Sequence, residues 1–300
     1  MLARLPAPIR VPLALLLLFA NTLVHALLLF IVALVKLALP VPRLRRRLSR
    51  MLASIAESWI AFNSCLFRNF TTTRFEVRGM EDLRPEGRYL VLSNHRSWVD
   101  IPVLQRAFNR RVPFMRFFLK SQLIWVPVLG LAWWALDFPF VKRYTREQIE
   151  RSPELRGRDL EATRRACERF RDLPVSIVNF VEGTRFNEAK RDRQGSPYRH
   201  LLRPRAGGVS FVLQAIGADL DAILDVTLSY RPTHPTMKDL LANRVGSVQV
   251  DVREIPIPAE FVRSEDADEA RSERFRAWLN ELWSVKDAML DEAGRTTRER

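Results

Sequence analysis

"RYLVLSNHRSWVD", residues 88–100, changes character halfway along. Arg88 to Ser93 is a compact apolar strand. It runs straight into Asn94 and His95, and Asp100 follows the histidine by five positions. If the chain bends from strand into helix here, Asp100 folds back onto one imidazole nitrogen. The other nitrogen is then an acceptor aimed into a cleft, which suits a general base that takes a proton from an alcohol. An isolated H-x-x-x-x-D is a weak pattern, and ordinary polar satisfaction explains most such pairs. A metal site has little material: four histidines (His25, His95, His200, His234), and two cysteines (Cys65, Cys167) in no ligand-like spacing. The same cysteine count argues against a disulfide framework and for a reducing, cytosol-facing body.

A second apolar strand, "LPVSIVNFV" (173–181), ends in the same manner, at "EGTR". Gly183 allows close backbone approach, and Arg185 offers a planar fork for a phosphate. The plainer reading of those four residues is a turn with a surface ion pair between Glu182 and Arg185. Open α/β sheets hold ligands just past the C-terminal ends of strands, so the two stretches together mean more than either alone. A short strand and turn are expected in "RFEVRGMEDL" (74–83), and further strands at 221–230 and 247–257. Helices are expected over Leu48–Phe70, over "RDLEATRRACERF" (158–170), and in the tail, where Phe275, Trp278, Leu279, Leu282, Trp283 and Met289 recur at helical intervals. Alternation of this kind predicts an α/β fold whose sheet is covered on its faces.

The formal charge of +14 asks for an anionic partner. From Val11 to Val35 no charged residue occurs, and 25 helical residues reach roughly 37 Å, enough to cross a bilayer. The stretch is too long for a signal peptide and has no clear cleavage site; a soluble core helix is seldom apolar on every face. It is expected to be a transmembrane anchor. Arg4 and Arg10 precede it, whereas Lys36, Arg43, Arg45, Arg46, Arg47 and Arg50 follow it. That asymmetry predicts a cytosolic body and an N-terminus on the far side. Beside a span, the run "PRLRRRLSR" (42–50) fits anionic lipid headgroups better than nucleic acid. A second apolar stretch, 121–141, carries one charge, Asp137. Pro127, Gly130 and Pro139 make it a poor straight helix. A crossing there would also separate "NHRSWVD" from "EGTR". It is expected to lie in the membrane interface, where Trp125, Trp133 and Trp134 suit the headgroup level, or else to line an apolar tunnel or join the core.

"NHRSWVD" (94–100), "FPFVKR" (138–143), "FVEGTR" (180–185) and "LLRPRAGG" (201–208) resemble, in order and spacing, the blocks of the glycerolipid acyltransferases. More closely, residues 70–230 are similar to the 1-acylglycerol-3-phosphate (lysophosphatidate) and related lysophospholipid acyltransferases. The resemblance implies a mixed sheet flanked by helices after an N-terminal transmembrane helix. It divides the chain into an anchor with a basic segment (1–50) and an acyltransferase domain (51–300). It implies transfer of a fatty acyl group from acyl-CoA or acyl carrier protein to a lysophospholipid at a membrane, with no cofactor, metal or nucleic acid. His95 becomes the base and Asp100 its orienting partner. Asn94, Lys120, Arg143, Glu182, Gly183, Thr184 and Arg185 become substrate-binding, the last four around the glycerol phosphate, with Lys142 a possible helper of Arg143. One departure stands out. Asp225 and Thr227 occupy a strand where many relatives carry a proline, as in the lysocardiolipin-acyltransferase-like branch, so lysocardiolipin or a lyso-ornithine lipid is an alternative acceptor.

Overall fold

The computed structural model describes residues 2–39, 41–141, 151–152, 161, 165, 174–262 and 269–295. Lys142, Arg143, Cys167 and most of the expected 158–170 helix lie outside the described residues.

The chain begins as a helical hairpin. Helix α1 (Ala7–Ala38) and helix α2 (Pro42–Phe70) pack along one another. Polar contacts pin the middle: Asn21 Nδ2 donates to Asn63 Oδ1 at 2.8 Å, and Trp59 Nε1 donates to Thr22 Oγ1 at 3.1 Å. Helix α2 starts six residues ahead of the expected Leu48. Pro42 sits in its first turn, where a missing N–H costs nothing, so the arginine run is helical. Arg43, Arg45, Arg46, Arg47 and Arg50 are all exposed. Helix α1 is long and apolar enough to cross a membrane, and Leu15, Leu16, Phe19, Leu23 and Leu27 stand exposed on it. Its two ends are fastened to one body. Near the start, Arg10 Nε donates to Leu241 O at 3.1 Å and Asn243 Nδ2 donates to Ala3 O at 3.0 Å. Near the finish, Lys36 Nζ meets Asp137 Oδ2 at 2.8 Å.

The body is a mixed six-stranded sheet. Its strands are β1 (Arg74–Arg78), β2 (Arg88–Ser93), β3 (Met115–Phe117), β6 (Val175–Phe180), β7 (Ala222–Arg231) and β8 (Ser247–Ile255), in the order β1-β8-β7-β2-β6-β3. Only the β7–β8 pair is antiparallel. Period-two alternation sorts β7. Ala222, Leu224, Val226 and Leu228 join the core under α2 and helix α3 (Asp100–Phe108), whereas Ile223 joins the other core. That second core is closed by helix α6 (Ala206–Ile216) and the C-terminal helix α8 (Glu269–Arg295). Phe275, Leu279, Trp283 and Leu290 recur at helical spacing and are buried against the sheet, so α8 faces the core.

Residues 121–141 form no span. The two-residue strand β4 (Leu119–Lys120) pairs with β5 (Phe140–Val141), so the segment returns to the place it left. Between them lie a 3-10 turn (Ser121–Trp125) and the seven-residue helix α4 (Leu129–Ala135), with Val128 at φ +65°. Helix α4 packs beside α1. Ala135, Leu136 and Phe138 are buried while Trp125 and Trp134 are exposed. The bend at 126–128 is what hydropathy alone does not reveal.

Candidate active site

Strands β2 and β6 are parallel neighbours with Ser93 opposite Phe180, so the segments that follow them emerge side by side. Backbone bonds stitch the two together: Val181 N donates to Ser93 O (3.3 Å) and Phe186 N to His95 O (2.7 Å). The chain turns into α3 at Asp100, and this turn brings the carboxylate back. His95 Nδ1 lies 2.7 Å from Asp100 Oδ2. The same oxygen accepts the backbone N–H of Arg96 at 2.7 Å and of Ser97 at 2.9 Å. Tyr230, on β7, donates its hydroxyl to Asp100 Oδ1 at 2.7 Å. Asp100 is wholly buried. The imidazole lies against Phe180, with ring centroids 4.1 Å apart and planes 18° from parallel, and Phe117 stacks on Phe180 in turn. With Nδ1 occupied, Nε2 has no protein partner among the described residues. A neutral imidazole so held is a proton acceptor at Nε2.

Other expected site residues divide by where their polar atoms go. Asn94 is fully buried and continues the sheet with its side chain, accepting from Leu228 N (2.8 Å) and donating to Leu228 O (3.0 Å). Glu182 is also fully buried. Its Oε1 accepts the N–H of His95 (3.0 Å) and its Oε2 that of Leu202 (3.0 Å). Burial pushes its pKa up to about 7, against the two backbone donors that favour the anion. The carboxylate therefore turns inward, which rules out the surface ion pair with Arg185. Both side chains brace the strand ends, with every side-chain nitrogen and oxygen bonded to the backbone.

The atoms that do face outward are cationic. Gly183 adopts φ +69°, which favours glycine, and the Arg205 side chain lies where a Cβ would stand, its Nε 3.3 Å from that point. Arg185 stacks its guanidinium over the ring of Trp98, 3.9 Å from the centroid, and Trp98 is 68% exposed. Lys190, in helix α5 (Glu188–Arg193), donates to Thr184 Oγ1 and to Arg185 O, each at 2.9 Å. Among the described residues, none of Arg185, Lys190 and Arg205 has a carboxylate partner. Such a group of unneutralised cations suits a phosphate. Lys120 is exposed on β4, beside β5 and the start of the "FPFVKR" block; Arg143 lies outside the described residues. Sequence reasoning missed Arg205 and Tyr230. "LLRPRAGG" flagged the neighbourhood of Arg205, whereas nothing local marks Tyr230, 130 residues from its partner.

A family model described as Acyltransferase matches residues 74–231, over half of the chain. The chain belongs to the acyltransferase family. Curated acyltransferase relatives include probable 1-acyl-sn-glycerol-3-phosphate acyltransferase 5 of Arabidopsis thaliana. It is 26% identical over 248 residues, covering 78% of this chain and 61% of the relative. 1-acyl-sn-glycerol-3-phosphate acyltransferase delta of Homo sapiens is 26% identical over 221 residues, covering 69% and 53%. The chain thus spans about half to three fifths of these relatives' length. The crystal structure of the 1-acyl-sn-glycerophosphate (LPA) acyltransferase PlsC from Thermotoga maritima aligns with a TM-score of 0.56 at 16% identity, covering 96% of this chain and 98% of that one. The acyltransferase is therefore similar to it in fold: a mixed sheet flanked by helices.

Proposed function

We propose that this acyltransferase moves a fatty acyl group from an acyl thioester, acyl-CoA or acyl carrier protein, to the hydroxyl of a lysophospholipid. The acceptor that suits the site best is 1-acylglycerol-3-phosphate, and the product is then phosphatidate. One observation carries the reading: Asp100 holds His95 Nδ1 at 2.7 Å and leaves Nε2 open, beside a loop whose cations lack counter-ions. Nε2 takes the hydroxyl proton as that oxygen attacks the thioester carbonyl. The imidazolium, steadied by Asp100, returns the proton to the leaving thiolate. The acyl chain passes directly to the acceptor, so no side chain is acylated. Arg185, Arg205 and Lys190 hold the phosphate, and the names of the relatives support a phosphorylated acceptor. Asp225 and Thr227, which suggested another headgroup, meet α8 on the opposite face of the sheet. They therefore give no support to lysocardiolipin or lyso-ornithine lipid.

Attachment to the cytosolic leaflet belongs to the same reading. The exposed apolar row of α1 and the exposed arginines of α2 suit a hairpin lying in the interface over anionic headgroups. The fastening of both ends of α1 to the body favours immersion along its length over a crossing. The test incubates vesicles carrying the protein with isotope-labelled acyl thioesters and a panel of lysolipids with and without a phosphate monoester, read by lipid mass spectrometry. Labelled phosphatidate from wild type and none from His95→Ala is the expected result. Equal product from both overturns the mechanism.

A further inference from the structure

We infer that Tyr230 is a positioning residue for the His95–Asp100 pair, acting through the carboxylate oxygen that faces away from the histidine. The inference rests on the acyl-transfer reading above and adds to it a group that no sequence motif marks.

The two oxygens of Asp100 are held differently. Oδ2 takes three donors from its own loop, all within five residues: His95 Nδ1 and the amides of Arg96 and Ser97. Oδ1 takes a single donor, the Tyr230 hydroxyl at 2.7 Å. Donors gathered on one oxygen leave the carboxylate plane free to pivot about that oxygen. A donor on the second oxygen, arriving from another element, stops the pivot and fixes the lone pair that meets Nδ1. Tyr230 is suited to that task. It is 5% exposed, its backbone pairs with Val248 in the β7–β8 ladder, and the phenol has no other hydrogen-bond partner among the described residues. Burial, and then the Asp100 charge, hold its pKa well above 10. The hydroxyl keeps its proton and donates throughout the working pH range. Its donation also draws negative charge toward Oδ1 and away from the oxygen that meets His95 Nδ1.

The other titratable and charged groups around the pair are Arg96, Glu182, Asp287 and His234, with Arg185 in the adjoining loop. Tyr230→Phe removes one hydroxyl and alters none of them. The decisive measurement uses the full chain in lipid vesicles with 13C-labelled histidine. Four histidines make the spectrum assignable, and His95→Gln identifies the His95 signal. In Tyr230→Phe the His95 titration midpoint is expected to rise by several tenths of a pH unit, while His25 and His200 stay in place. Replacing the four tyrosines by 3-fluorotyrosine strengthens the phenolic donor and is expected to move the midpoint the other way, which covers a Phe variant that folds poorly. An unmoved His95 midpoint in the folded Phe variant or in the fluorinated protein overturns the inference. In acyl transfer, Tyr230→Phe is expected to lower kcat roughly tenfold with both KM values little changed. Added to Asp100→Asn it is expected to cost nothing further. A full additional loss in that background also overturns it. Absence of any acyl transfer by wild type would defeat the functional reading instead, and the titration would still decide the role of Tyr230.

Discussion

Asp100 and Asp225 are both wholly buried carboxylates, and they sit on opposite faces of one sheet. Asp100 is met by neutral donors and one imidazole, whose far nitrogen has no protein partner among the described residues. Asp225 is met by two basic side chains. Lys286 Nζ, itself 0% exposed on α8, lies 2.7 Å from Oδ1, and Arg253 Nε donates to Oδ2 at 3.2 Å. Lys286 also donates to the Val226 carbonyl and, at 3.3 Å, to Thr227 Oγ1. The first leaves a ring nitrogen without a protein partner among the described residues, whereas the second is an ion-pair cluster that reaches the surface through Arg253. Burial of a carboxylate therefore does not mark a reaction centre. On the proposed reading, what marks it is a partner whose far atom has no protein contact among the described residues.

That contrast can be broken from either end. The largest effect belongs to His95→Ala, expected to lower kcat roughly 10³-fold with little change in thermal midpoint, measured by turnover and calorimetry side by side. A comparable drop in stability would make the two carboxylates alike. On the other face, Lys286→Met leaves the buried Asp225 with Arg253 alone and Oδ1 without its partner, and is expected to cost about 3 kcal/mol of stability in a denaturant titration. The double variant Asp225→Asn with Lys286→Met should recover much of it. If the double variant is no more stable than the single one, the ion pair is not what holds α8 down.

Glu182 gives a finer test. With a folded pKa of about 7 against an ordinary carboxylate value, the folded state keeps the proton longer than the unfolded chain. Its contribution to stability is thus fully present at low pH and falls as pH rises toward 7. Glu182→Gln sets an amide N–H₂ against a backbone N–H and costs about 1–3 kcal/mol. The difference between wild type and variant is expected to shrink between pH 5 and pH 8; a constant difference across that range contradicts the shifted titration. The smallest effect is at the mouth of the site. Trp98→Ala removes the ring under Arg185, and loss of about 0.5–1 kcal/mol raises KM for a phosphorylated acceptor a few-fold, leaving KM for the acyl thioester unchanged.

Legibility in the sequence follows range along the chain. The strand ends at Ser93 and Phe180, and the return of Asp100 onto His95, span a few residues each and are written in local pattern. Alternation along β7 shows that Asp225 and Tyr230 point to opposite faces, but not that α8 supplies Lys286 to one, or that the other belongs to the histidine. Lys286 lies 61 residues from Asp225 and Tyr230 lies 130 from Asp100, and only the packed fold brings them together. Asn94 and Glu182 read as ligands because they sit in the motifs. Their bonds to Leu228, His95 and Leu202 show side chains spent on holding strand ends in register. Hydropathy flagged 121–141 as span-like because it counts composition and is blind to the left-handed Val128.

The clasping of α1 at Arg10 and at Lys36 has a consequence for the choice of host membrane. If α1 lies along the leaflet as proposed, it is indifferent to how thick the lipid slab beneath it is, since it never has to match two water boundaries. Turnover in short-tailed and long-tailed vesicles of equal surface charge should accordingly agree, and only the leaflet the protein rests on should lose its lysolipid.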